Sequence, residues 1–240
     1  MTGEGPPLVL LHGFLERSTI WFRLIPEWSK QRKVIAIDLP GHGKSGCLAE
    51  THTMELMAEV VVSLLKDISI ESASFVGHSM GGYVLLAIAE RYHALVDQLY
   101  LLNSTTRADS PERLENRTRA LQVISENKKL FIQTAINTLF TQQAREQFPS
   151  EIATLKEQAF TFSVAGIAAM IRGMMERKDR TTVLRQFRRK KHIICGDADP
   201  IVPFSESKMI AYETNSELKI LNGGHMSWLE NSYEMLKFDF

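Results

Sequence analysis

The sequence predicts an α/β fold in which a doubly wound, mostly parallel sheet is interrupted by a helical insertion. Three observations carry this reading. Short apolar runs bounded by Gly, Pro or Asp recur along the chain, as strands buried on both faces do. Helical patterns separate most of them, and such alternation implies helices packed on a parallel sheet. Between about Thr105 and Arg188 the strand signal disappears and helix follows helix.

Taken in order, the expected strands are residues 8–11, 34–37, 74–76, 98–102, 192–195 and 218–221. Residues 54–66 keep Met57, Val60, Val61, Leu64 and Leu65 on one helical face behind Thr53 as N-cap, and 82–92 is a second apolar helix. Within the insertion, 111–127, 129–140 and 163–176 read as helices; the last repeats Val164, Ile167, Ala168, Ile171, Met174 and Met175 at helical spacing. The expected organisation is a core of residues 1–104 and 189–240 with a helical cap of 105–188.

A chain of 240 residues fits one such domain, since single cores stop growing at roughly 250 to 300 residues. Its 28 basic and 28 acidic side chains cancel, which argues against nucleic acid or an anionic membrane as partner. Cys47 and Cys195 form neither a disulfide framework nor a zinc-ligand spacing, and free thiols suit a reducing compartment. With no signal-peptide pattern at Met1–Pro7 and no apolar run of spanning length, a cytoplasmic protein is expected, with neither metal nor cofactor.

The chemistry is carried by Gly77-His78-Ser79-Met80-Gly81, a Gly-x-Ser-x-Gly pattern at a strand-to-helix junction. The bare pattern arises by chance in roughly one chain of this length in twelve, so its context decides. A tight turn lifts the serine above the sheet, and the Met80 amide opens a helix where a developing oxyanion meets partial positive charge. The bland alternative is a serine that merely caps a helix.

A serine hydroxyl needs a base, and the base an orienting acid. Of seven histidines only His225 follows the last predicted strand, in a Gly-rich loop at the carboxyl edge where sites of open α/β sheets lie. Asp197 and Asp199 both follow the strand 192–195, in a loop stiffened by Pro200 and Pro203. Ser, Asp, His is the chain order this scaffold requires. His12, His42 and His78 read as loop-shaping, and His52, His93 and His192 receive no role. The Gly-rich stretch from Gly41 to Gly46 imitates a dinucleotide motif, but no helix opens on it.

With these residues in place, nearly the whole chain resembles the α/β-hydrolase superfamily, in the branch of small bacterial esterases. Leu10-Leu11-His12-Gly13-Phe14 is similar to the family's oxyanion loop, which implies that the amides of Phe14 and Met80 bind the oxyanion. Gly196-Asp197-Ala198-Asp199 is similar to its Gly-x-x-Asp segment, which favours Asp199 as the acid. Members usually begin with a β-hairpin, whereas here the first strand arrives almost at once. The edge of strand 34–37 is then expected to be uncovered and open to pairing with a second copy, giving a monomer or a homodimer.

The resemblance implies hydrolysis of a small or medium carboxylic ester or thioester through an acyl-enzyme on Ser79. Trp21, Phe131, Phe140, Phe162, Met170 and Met174 are the pocket candidates, although for any single such residue packing of the cap helices is the favoured reading. Arg113, Arg117, Arg119, Lys128 and Lys129 would suit an acidic carrier such as a phosphopantetheine thioester, but read as solvated cap charges. The alternatives are carbon-carbon or lactone hydrolysis, elimination as in the similar menaquinone-pathway lyases, and a ligand receptor on the same scaffold. The lyases carry an arginine where this chain has Tyr83.

Overall fold

The computed structural model describes residues 1–238 and 240. Among them, six parallel strands form one sheet in the order β2-β1-β3-β4-β5-β6. The strands are β1 (Pro7–Leu11), β2 (Lys33–Ile37), β3 (Ala73–His78), β4 (Val96–Leu102), β5 (Lys191–Gly196) and β6 (Glu217–Leu221). All six predicted strands are present, each one to three residues longer. The central strands β1, β3 and β4 bury most of their side chains, because helices cover both faces. Burying one such aliphatic side chain contributes about 1.5–3 kcal/mol.

The helices of the first half are α1 (Ile25–Trp28), α2 (Met54–Asp67) and α3 (Met80–Arg91). Thr53 caps α2 as expected, its side chain accepting from the Leu56 amide. The expected apolar face of α2 is partly corrected: Met57, Val61 and Leu65 are buried, but Val60 is half-buried and Leu64 is exposed. The buried face is formed by Met54, Met57, Ala58, Val61, Val62 and Leu65, and Val60 and Leu64 flank it. Gly81, assigned to the turn before the helix, lies inside α3, which begins at Met80 rather than Gly82.

Between β4 and β5 the chain forms α4 (Pro111–Glu126), α5 (Lys128–Thr138), α6 (Gln142–Gln147), α7 (Pro149–Phe160), α8 (Val164–Met175) and α9 (Thr181–Gln186). No strand occurs among these residues, as the sequence predicts. The short helix α9 packs against α3 and against α10 (Phe204–Thr214). It therefore extends the α2–α3 layer although it falls within the predicted cap. Two short helices, α11 (Ser227–Glu230) and α12 (Ser232–Met235), follow β6.

The open edge of β2 is partly covered. Thr2 forms an isolated antiparallel bridge to Val34, with N–H to O distances of 3.1 and 2.8 Å.

Candidate active site

Three loops meet at the carboxyl edge of the sheet. The first is the turn between β3 and α3, where Ser79 adopts φ 49° and ψ −115°. A non-glycine residue in such a region costs about 1–3 kcal/mol, and the surroundings hold it there. The Ser79 amide donates to the Leu102 carbonyl at 2.9 Å, and the Ser79 carbonyl accepts from the Ser104 hydroxyl at 2.7 Å. The flanking glycines permit the close approach. A Cβ on Gly77 would lie 2.6 Å from the Gly81 carbonyl oxygen, and one on Gly81 would lie 2.4 Å from that of Leu11.

The second loop follows β6 and carries His225, whose Nε2 lies 2.9 Å from Ser79 Oγ. The third follows β5 and carries Asp199, whose carboxylate oxygens lie 3.0 and 2.9 Å from His225 Nδ1. Asp199 Oδ1 also accepts from the amides of Ile201 and Val202 at 2.8 and 2.9 Å, and Oδ2 accepts from Asn103 Nδ2 at 3.0 Å. Burial raises the Asp199 pKa. The imidazole of His225 and the amides of Val202 and Ile201 outweigh it and hold the carboxyl below its ordinary range. Asp197 is exposed, and its Oδ1 accepts from the Gly223 amide at 2.9 Å, so it shapes the loop without facing the histidine.

The loop after β1 lies against the elbow, the turn of residues 77–81 that joins β3 to α3: a Cβ on Gly13 would sit 3.2 Å from Ser79 Cβ. The Gly13 amide is occupied by Glu16 Oε2 at 2.5 Å. The amides of Phe14 and Met80 have no hydrogen-bond acceptor among the described residues. His12 Nδ1 donates to the Gly13 carbonyl at 2.7 Å while Nε2 accepts from the Leu39 amide at 2.9 Å, and His42 Nε2 accepts from the Leu15 amide at 3.0 Å. Burial lowers the pKa of both histidines, so they act as neutral braces for this loop.

Of the pocket candidates, Phe131 packs edge-on against Phe14 with ring centroids 6.4 Å apart. Phe162 lies 5.0 Å from His42, itself 5.8 Å from Phe14. These two belong to one aromatic chain that runs through Phe14 in the loop after β1. Phe140, Met170 and Met174 are buried. Trp21 is fully buried with its indole against Trp28.

Sequence reasoning missed several supporting residues. Asn103, at φ 47° just past β4, donates to both Asp199 and the Gly224 carbonyl. Glu230 in α11 accepts from the amides of Gly224 and Met226, at 2.9 and 3.1 Å, and so brackets His225 from both sides. The signal for Asn103 was its place one residue beyond a central strand; Glu230 had none. Arg113, expected in solvent, donates to the Ile201 carbonyl, and Arg117 pairs with Asp109 at 2.5 Å. Among the described residues no group of three or more His, Cys, Asp or Glu side chains could hold a metal ion, and no helix is long and apolar enough to cross a membrane.

The model of the alpha/beta hydrolase fold family matches residues 6–232, and the chain belongs to that family. A thermophilic esterase from Thermogutta terrifontis superposes with a TM-score of 0.93 at 30% identity, covering 98% of this chain and 88% of that one. The pimeloyl-[acyl-carrier protein] methyl ester esterase of Nitrosomonas europaea is 30% identical over 84% of this chain and 81% of its own length. The dihydrolipoyllysine-residue acetyltransferase component of the acetoin cleaving system of Pseudomonas putida is 30% identical over 95% of this chain, which spans 61% of that protein.

Proposed function

We propose that the protein is a serine hydrolase that cleaves a small or medium carboxylic ester or thioester through an acyl-enzyme on Ser79. The observation that carries this reading is the relay from Ser79 Oγ through both nitrogens of His225 to Asp199, with each step at 2.9–3.0 Å. In the reaction, Ser79 attacks the carbonyl carbon as His225 Nε2 takes its proton. Asp199 keeps the second imidazole proton on Nδ1 and stabilises the imidazolium. The tetrahedral oxyanion meets the amides of Phe14 and Met80. His225 then protonates the leaving alcohol or thiol, and water, deprotonated by the same histidine, releases the acid.

Phe14, Phe131 and Phe162 are the side chains that would line an apolar acyl site, with residues 105–188 acting as the cap apart from α9. Elimination is disfavoured by Tyr83. The Arg177 guanidinium lies 4.3 Å from the centre of the Tyr83 ring, but it is already bonded to the carbonyls of Arg107 and Met174 and paired with Asp109. The test is a panel of p-nitrophenyl esters and acyl-CoA thioesters run with wild type and Ser79→Ala. Turnover of short or medium acyl chains that vanishes in the variant supports the reading; silence of the wild type across the panel would refute it.

A further inference from the structure

The residue preceding the serine is buried and ionisable, and the chemistry above gives it no task. His78 and Glu16 have side chains 1% and 2% exposed. His78 Nδ1 lies 2.9 Å from Glu16 Oε2, and Nε2 lies 2.9 Å from the carbonyl oxygen of His225. A carbonyl only accepts, so Nε2 carries a proton. The open question is which side of the Glu16 contact holds the other proton. Glu16 Oε2 accepts from the Gly13 amide at 2.5 Å and Oε1 from the Trp228 indole at 3.1 Å. Two N–H donors besides the imidazole favour the carboxylate, and with it a doubly protonated ring.

The contacts of this pair reach each part of the proposed machinery. Glu16 holds the amide next to Phe14, and His78 is joined by its own peptide bond to Ser79. His78 also holds the carbonyl of the residue whose imidazole takes the serine proton, and Trp228 lies three residues beyond that histidine. The rings of His78 and His225 have centroids 5.2 Å apart.

We propose that Glu16 and His78 form a buried carboxylate–imidazolium pair that positions the oxyanion loop and the His225 loop around Ser79. This rests on the serine-hydrolase reading, and both are positioning residues that act through Gly13, Trp228 and the His225 backbone. The charged or titratable groups facing His78 are Glu16, His12, His225 and Asp199. Burial works against the charged ring, but the charge and hydrogen bond of Glu16 and the His225 carbonyl outweigh it, so its pKa lies above the ordinary value. Burial likewise opposes the Glu16 carboxylate, and His78 and the Gly13 amide hold its pKa below the usual range.

The experiment is a long-range 1H–15N correlation spectrum of the wild type at about pH 8, where an ordinary imidazole of pKa about 6.5 is neutral. The expected result is one histidine with both ring nitrogens protonated, assigned to position 78 by its loss in the double variant Glu16→Gln/His78→Asn. A neutral tautomer at His78 overturns the proposal. His78→Asn alone leaves a buried carboxylate unpaired, so the double variant also serves for kinetics. Its kcat should fall about 100-fold with KM little changed, as for a misplaced site; an unchanged kcat, or a loss confined to KM, overturns the positioning role. Failure of the underlying reading shows separately, as covalent labelling by a fluorophosphonate that survives Ser79→Ala.

Discussion

Asp197 and Asp199 stand two positions apart in one loop and differ in everything that matters to the proposed chemistry. One is solvated and bonded to a loop amide; the other is buried and faces both the imidazole and three further donors. Asp199→Asn should therefore lower kcat by about four orders of magnitude, as the loss of a triad acid does elsewhere. Asp197→Asn should cost far less, and ester turnover by the two variants checks the ranking. The depressed pKa of Asp199 also gives a sign for stability. Its stabilisation is complete above the unfolded value of about 3.9 and is lost as pH falls through the lower folded value. Urea midpoints of the wild type should drop on acidification below about pH 4, and those of Asp199→Asn should drop less. Ser79 and His225 were legible in the sequence because each sits in a glycine-rich loop at a strand end. Glu230 was not, because its role lies in bonding two amides four and six residues earlier, which no local pattern marks.

At the level of elements, the elbow depends on how closely α3 approaches β1. A methyl group at Gly81 would meet the carbonyl oxygens of Leu11 and His12 at 2.4 and 2.7 Å, and backbone cannot turn aside as a side chain can. Gly81→Ala should destabilise the fold by about 1–3 kcal/mol, the cost of overpacking, read from urea unfolding. A variant as stable as the wild type would show that the two elements separate freely. The six strands were foreseen from short apolar runs bounded by Gly, Pro or Asp, and helices α2, α3, α4, α5 and α8 from the helical patterns between and after them. Helices α6 and α9 were not, because six residues span less than two turns and leave no repeat to detect; α7 and α10 were missed as well, although they run to 12 and 11 residues. The same loss of context hid the Arg113 contact: a guanidinium on an exposed helix reads as solvated until α4 is seen against the Ile201 carbonyl.

For the molecule as a whole, the sequence raised β2 as an open edge. Thr2 occupies the outward N–H and C=O of Val34, and in a parallel pair the next outward-facing residue is Ala36. One free position is a poor template for a second chain. Light scattering at high concentration should give a monomer mass, and a dimer that disappears on substituting Ala36 by proline would contradict this. The central claim is that Ser79 is activated by His225 with Asp199 behind it, and intact-mass spectrometry after treatment with a fluorophosphonate tests it most directly. The expected result is one adduct per chain, mapped to Ser79, absent in Ser79→Ala and formed far more slowly in His225→Ala. An adduct that persists in Ser79→Ala, or forms as fast without the imidazole, would contradict the account.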